Sequence, residues 1–131
     1  MLQNTNRFSE AEPLYRRALA IDQKSYGPNH PNVGIRLGNL GSLLRMANRP
    51  DEAEPLSRRA LAIHEKSYGP DHPSVATDLV NVAELLRVTN RPAEAEPLFR
   101  RALAIDEKSY GPDHPNVARD LKQARGIAPG Y

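Results

Sequence analysis

The chain has 131 residues, 39% of them hydrophobic and 26% charged, which predicts one domain with a modest core. Its 18 basic and 16 acidic residues leave a net charge of only +2, too little for a basic stripe that binds nucleic acid. Because it contains no cysteine, a disulfide framework, a thiolate nucleophile and a cysteine-based zinc site are excluded.

Targeting and membrane signals are also missing from the sequence. No apolar run approaches the roughly 20 residues that a membrane-spanning helix needs. Residues 1–7 lack the apolar segment of a signal peptide. We therefore expect a cytoplasmic protein that binds neither membranes nor nucleic acids.

The sequence repeats itself with a period of 42 residues, since residues 11–33 return almost unchanged as residues 53–75 and 95–117. Such periodicity is typical of repeat proteins, whose units stack because none can bury its apolar face alone. We expect two helices in each unit, a first helix A and a second helix B. The single domain, residues 1–131, then consists of a partial repeat (1–27), two full repeats (28–69 and 70–111) and a truncated repeat (112–131).

The first predicted element is a B helix without an A helix of its own. Residues 1–7 align with residues 43–49, the end of an A helix in the next copy. The capping-box pattern from Ser9 to Glu12 predicts the start of this B helix, and Gly27 predicts its end. Its apolar residues would be covered on one side only, and exposed apolar patches mark interfaces. This self-association patch consists of Leu14, Ala18 and Ile21.

Helix A of each full repeat is expected to begin at Pro31 or Pro73, because proline suits the first turn of a helix. Apolar residues then recur at i, i+4, i+7 and i+11, which places them in one stripe of an α-helix. Pro50 and Pro92 follow this stripe, and a residue before proline disfavours the helical conformation. Each A helix should therefore end there.

Helix B of the middle copy is expected to begin with the capping-box pattern from Asp51 to Glu54. Pro55 then falls near the fourth helical position, where little hydrogen bonding is lost. Ser57 stands where the other copies have an aromatic residue, which predicts a slightly underfilled middle repeat. Each B helix also carries a glutamate four residues before an arginine, a spacing that predicts a weak ion pair. These pairs are Glu12–Arg16, Glu54–Arg58 and Glu96–Arg100.

The third A helix is expected to start normally at Pro115 and then to fail. Ala124 and Arg125 stand where the earlier copies have an apolar and a small residue. Gly126 and Pro129 would end the helix shortly afterwards.

The spacing of the apolar and small residues resembles that of tetratricopeptide repeats. The residues that carry this likeness are Leu37, Leu40, Gly41, Leu44, Ala53 and Ala60 in one copy and Leu79, Val82, Ala83, Leu86, Ala95, Phe99 and Ala102 in the next. The 42-residue period and the Gly-Pro-Asp-His-Pro connector are similar to the longer repeats of kinesin light chains and their bacterial relatives. The resemblance implies an all-α, right-handed superhelical solenoid of about six helices in antiparallel pairs. It also implies that the A helices line a concave groove that receives a peptide.

The groove is predicted from the A-helix positions that point away from the apolar stripe. They are Asn39, Ser42, Arg45, Met46, Asn81, Glu84, Arg87, Val88, Arg119, Lys122 and Gln123. Amide side chains at Asn39, Asn81 and Gln123 would hold the backbone of an extended peptide, because an amide both donates and accepts. Arg45 and Arg87 would pair with its carboxylates. We therefore predict a non-catalytic module that binds an extended, acidic peptide; the alternative is that these residues form a solvated helix face.

A structural or assembly role is the alternative function. The chain would then be a fragment of a longer array or a solenoid that associates with another copy through the self-association patch. We expect no enzyme, cofactor or metal, since His30, His72 and His114 lie one repeat apart and fit the role of connector residues. His64 replaces an aspartate of the other copies and is expected to be exposed. The paired arginines at 16–17, 58–59 and 100–101 are interpreted as solvated helix faces.

Overall fold

The structure is a computed structural model. It describes residues 2–127, and the side chains of residues 7–124. The described residues form six α-helices and no strand, which confirms the predicted fold class. The helices are α1 (Leu2–Tyr26), α2 (Pro31–Met46), α3 (Pro50–Tyr68), α4 (Pro73–Val88), α5 (Pro92–Tyr110) and α6 (Pro115–Ile127). None of these helices is long and apolar enough to cross a membrane.

The chain divides at the end of α3 into two compact units, residues 1–67 and residues 68–131. In the first unit α1 packs against α2, and a core of Val33, Leu37, Ala60 and Ile63 joins α2 to α3. In the second unit α5 packs against both α4 and α6, and Phe99 of α5 is completely buried. The repeat boundaries predicted above stay a prediction.

Histidine side chains begin the A helices. His30 and His72 have extended backbone conformation, and each Nδ1 accepts a hydrogen bond from the backbone N–H two residues later at 3.0 Å. His114 makes the same contact at 3.1 Å before α6. Such a bond satisfies one of the backbone donors that the first turn leaves without a helical partner. The histidines predicted as connector residues are therefore helix N-caps.

The ends of the helices use two different residues with positive φ. Gly27 and its equivalents Gly69 and Gly111 have φ near 90° and end the B helices, as predicted. Asn48 and Asn90 have φ of 64° and 63° after the A helices, a region that asparagine tolerates better than most residues. The asparagine thus ends helix A.

The predicted starts of the B helices are wrong. The second and third B helices begin at Pro50 and Pro92, so the proline that was expected to end helix A is the first residue of helix B. Asp51 therefore lies in the first turn and is not a cap. In α1, Phe8 stands at the position of these prolines, and with no proline to interrupt it the helix begins at Leu2 and runs through Ser9. Pro13, Pro55 and Pro97 accordingly lie deeper inside their helices than predicted.

His64 is buried, which overturns the prediction that it is exposed. Only 3% of its surface is accessible, and its Nε2 donates to the carbonyl of Pro31 at 3.1 Å. The ring fits because Gly34 on α2 lies against it; a Cβ atom at residue 34 would be 2.6 Å from His64 Nε2.

Ser57 does not leave the space that was predicted beside it. Gly41 on α2 approaches so closely that a Cβ atom there would collide with the Ser57 hydroxyl. Ser57 is 2% exposed, and its Oγ has no hydrogen-bond partner among the described residues. The absence of a side chain at residue 41 compensates for the smaller residue at position 57.

The last A helix does not fail at Ala124 and Arg125, since α6 continues to Ile127. Ala124 is 5% exposed and Val117 1%, so these residues supply a buried side to the helix. Asp120 lies on the same side, completely buried, and α6 packs against α5. A smaller residue at 124 is therefore compatible with a packed helix.

Candidate functional site

A cavity of about 450 Å³ lies between α4 and α6 in the second unit. Its lining side chains come from the two helices and all belong to the predicted groove. They are Glu84, Arg87, Arg119, Lys122 and Gln123. The structure thus brings together five of the predicted residues, from two successive A helices.

Glu84 organises one wall of this cavity. It accepts a hydrogen bond from Arg87 Nη2 at 2.7 Å, and its other oxygen accepts from Gln123 Nε2 at 3.2 Å. The contact with Glu84 raises the pKa of Arg87 above its ordinary value. Gln123 Oε1 is buried without a hydrogen-bond partner among the described residues.

Positive charge dominates the cavity. Arg87, Arg119 and Lys122 contribute three cations, and Glu84 is the anion among the lining residues. Lys122 is exposed, and the Arg119 side chain keeps 41% of its surface accessible. A carboxylate that enters this cavity would meet cations from α6 that it can approach from solvent.

Behind the cavity, Arg119 bridges two buried aspartates. Its Nη2 donates to Asp106 Oδ2 on α5 at 3.3 Å and to Asp120 Oδ1 at 2.9 Å. Asp106 is 1% exposed and Asp120 is completely buried. Burial, together with the nearby Asp120 carboxyl, raises the pKa of Asp106 to about 7, although Arg119 acts in the opposite direction.

The other predicted groove residues are not brought into this cavity. Asn81 is half-buried and Val88 exposed on α4. On α2, Ser42 and Arg45 are half-buried, and Met46 is 56% exposed. The amide ladder and the arginine ladder would each include residues of both units, and both stay predictions.

In the first unit a cavity of about 310 Å³ lies between α1 and α2. It is lined by Leu14, Tyr15, Ala18, Arg36 and Asn39. This cavity therefore contains residues of two predicted sites, because Leu14 and Ala18 belong to the self-association patch and Asn39 to the groove. Leu14 is 65% exposed and Ile21 53%, so part of the patch is open to solvent.

Several residues of these sites were missed by the sequence reasoning. Arg36 on α2 donates to Asp22 on α1 at 2.8 Å and lines the first cavity. Asp106 and Asp120 were not predicted as buried site residues, because acidic residues are mostly exposed in proteins. The available signal was the repeat register, which places Asp106 seven residues after Phe99, on the apolar side of its helix.

The paired arginines mostly serve contacts within the chain. The first arginine of each pair binds the glutamate four residues earlier, at 2.9 Å in α1, 3.0 Å in α3 and 3.4 Å in α5, which confirms the predicted ion pairs. In α3 the second arginine, Arg59, donates to the carbonyl of Pro28 at 2.8 Å, and in α5 Arg101 donates to Pro70 at 3.3 Å. These guanidinium groups hold the connectors that precede the A helices.

Comparison with protein families gives one match. A family model described as tetratricopeptide repeat matches residues 1–66, 49–108 and 79–124. None of the curated proteins matches the sequence.

Comparison with solved structures gives similar folds at low sequence identity. A Podosopora anserina protein of kinesin light chain type, with nearly identical TPR-like repeats, has a TM-score of 0.87 and 22% identity over 95% of this chain and 59% of its own. A point variant of that protein gives 0.86. BtubC (BKLC) from P. vanneervenii gives 0.76 and 20% identity over 94% of this chain and 54% of its own. The present chain thus spans between 54% and 59% of these structures, and the likeness shows the fold.

Proposed function

The chain belongs to the tetratricopeptide repeat family, whose repeats act as protein-interaction or scaffold modules, and from this premise we propose that it binds an acidic peptide segment of a partner protein without catalysing a reaction. The cavity between α4 and α6 carries the proposal. Its three cations face a single lining carboxylate.

The available cations differ in how firmly they are held. Arg87 is paired with Glu84 on its own helix, so its charge is partly compensated before a ligand arrives. Lys122 lines the cavity and is exposed, so it can meet an incoming carboxylate. An ion pair at such an exposed position contributes up to about 1 kcal/mol.

The test is a comparison of two blocked peptides, hexaglutamate and hexaglutamine, by titration calorimetry at low salt. We expect hexaglutamate to bind more tightly, and added salt to weaken it, because salt screens exposed charges. Lys122→Ala should weaken binding by up to about fivefold. Lys108→Ala is the matched control, since Lys108 is an exposed lysine of the same unit that lies outside the cavity. Equal affinity for the two peptides would contradict the proposal.

A second candidate function is assembly through the self-association patch. Its supporting observation is the exposure of Leu14 and Ile21 on one helix, next to the half-exposed Tyr15. Sedimentation velocity over a range of concentrations tests this candidate. We expect association in the wild type and its loss in the double variant Leu14→Glu, Ile21→Glu, with Val88→Glu as a matched exposed control on α4. A monomer at every concentration would exclude it.

A further inference from the structure

Arg119 belongs to two environments at once. Its exposed side lines the cavity between α4 and α6, where the proposed acidic peptide would bind. Its guanidinium also donates three hydrogen bonds to the buried carboxylates, of which two go to Asp120 at 2.9 and 3.0 Å and one to Asp106 at 3.3 Å. A ligand that recruits Arg119 must therefore compete with this pair.

The two carboxyls cannot both be ionised without cost. They lie on facing helices, α5 and α6, and share the Nη2 of a single arginine. Asp120 Oδ2 is buried and has no hydrogen-bond partner among the described residues. Two buried carboxylates beside one guanidinium leave a net negative charge, which is unfavourable in a buried site. When the pair binds one proton, the two carboxyls and Arg119 together are neutral.

The surroundings supply few other charges. From α6, the groups that act on the Asp106 carboxyl are Asp120 and Arg119. α4 also packs against α5, and its buried charged residue is Asp78, which is 5% exposed. The protonation of the aspartate pair is therefore decided by burial, by the two carboxyls themselves and by Arg119.

We propose that Asp106 and Asp120 form a proton-dependent clasp on Arg119, which holds the guanidinium when both carboxyls are ionised and frees it for an acidic ligand when the pair carries a proton. The ligand part of this inference rests on the proposed function. The clasp itself is a property of the free chain.

The direction of the pH effect follows from the competition. When a ligand draws Arg119 away, the pair loses its counter-ion and binds a proton more tightly, so binding is accompanied by proton uptake. Affinity for an acidic ligand must then fall as the pH rises. Burial places the pKa of Asp106 near neutrality, so the fall lies between about pH 6 and about pH 8. A change of one unit in that pKa on binding corresponds to about a tenfold change in affinity.

The chain contains a matched control for this arrangement. Asp22 on α1 occupies the position of Asp106 in the first repeat copy, and it pairs with Arg36 on α2 at 2.8 Å. Its partner is an arginine at the position where α6 has Asp120, so this site has one carboxylate where the other has two. Asp22→Asn removes a carboxylate from the same register without touching the clasp.

The experiment has a part without ligand and a part with ligand, both on the full chain. Carbon NMR of the aspartate carboxyls follows the titration of Asp106 in the free protein. Calorimetry with blocked hexaglutamate at about pH 6 and about pH 8 follows the affinity, and the glutamates of the probe remain ionised in this range. The variants are Asp106→Asn, Asp120→Asn and the control Asp22→Asn, and all retain the four histidines of the wild type.

We expect the Asp106 carboxyl to titrate near pH 7, and the affinity for hexaglutamate to fall up to about tenfold across the range in the wild type and in Asp22→Asn. Asp106→Asn or Asp120→Asn should make the affinity independent of pH. Titration of the Asp106 carboxyl below about pH 5 overturns the clasp, and so does an unchanged pH dependence in both clasp variants. Hexaglutamate that fails to bind at any pH contradicts the proposed function and the ligand part of the inference, and the titration alone then decides whether the clasp exists.

Discussion

The hydroxyl group of Ser57 on α3 occupies the space that a Cβ atom at residue 41 of α2 would need. Gly41 and Ser57 are therefore matched to each other. The next nearest atom, the carbonyl oxygen of Ala53, lies 3.4 Å from the same point, which is ordinary van der Waals contact. The restriction at residue 41 comes from one oxygen atom.

The effect of Gly41→Ala on the free energy of unfolding should therefore change sign with the residue at position 57. Alanine is favoured over glycine inside a helix by about 1 kcal/mol, but in the wild type the added methyl meets the Ser57 hydroxyl, and overpacking of a core costs about 1–3 kcal/mol. In a Ser57→Ala background the methyl would lie 3.6 Å from the Cβ of residue 57, and the helix gain should appear. Urea denaturation of the two single variants and the double variant measures the coupling. Additive effects would show that the two residues are independent.

His72→Ala should lower the free energy of unfolding by about 1 kcal/mol, because it removes a side-chain N-cap. The lost contact is the 3.0 Å hydrogen bond from the backbone N–H of Ser74 to Nδ1 of His72. The stacking of the same ring on Tyr68, with centroids 4.4 Å apart, is lost as well. His72→Asn is the control, since asparagine is a good N-cap and should keep most of the stability. Equal losses in the two variants would assign the effect to the ring and not to the cap.

Stability should depend on pH through Asp106. Its pKa in the folded chain is raised to about 7 by burial, above the ordinary aspartate value in the unfolded chain. For a raised pKa the stabilising contribution is complete below the unfolded value and is lost as the pH rises through the folded value. The wild type should thus become easier to unfold with urea between about pH 4 and about pH 7, and Asp106→Asn should remove this part of the dependence. A variant that follows the wild-type curve would contradict the assignment.

Adjacent arginines on α3 should differ in their contribution to stability. Arg59 donates to the carbonyl of Pro28 at 2.8 Å and fixes a connector, a contact that is typically worth about 1 kcal/mol. Arg58 pairs with Glu54 on its own helix with nearly half of its side chain exposed, and such a pair is worth only about 0.3–0.5 kcal/mol. Thermal unfolding of Arg59→Gln and Arg58→Gln makes the comparison. The reverse order would show that the connector is not held through this arginine.

The helices were predictable because their signals are local. The repeat period, the apolar stripes and the glycines at 27, 69 and 111 lie in the sequence itself and predict six helices with the correct ends for the B helices. The starts of the B helices were missed, because capping-box patterns outside helix termini look the same in sequence. In the sequence, α1 differs from the other B helices at Phe8, which stands where they have Pro50 and Pro92. The longer α1 is therefore recognised only when the three copies are compared.

The parts that could not be predicted depend on contacts between helices. His64 was expected at the surface because histidine replaces aspartate there, and its burial depends on the missing side chain of Gly34 on another helix. The cations that line the cavity between α4 and α6 were among the predicted groove residues, because they follow the exposed side of a helix with known periodicity. The carboxylates behind them were not, since the burial of Asp106 and Asp120 arises only when α5 and α6 meet.

The matched contacts between α2 and α3 also restrict how such an array can recombine. Gly34 and Gly41 on α2 face His64 and Ser57 on α3. At the corresponding positions α4 has Ala76 and Ala83, and each alanine would bring a methyl group into a space that is already filled. A crossover in the turn between helix A and helix B would therefore produce hybrids that fold poorly. A crossover in the connectors that contain Gly27, Gly69 and Gly111 would keep each A helix with its own B helix and so would preserve these matched contacts.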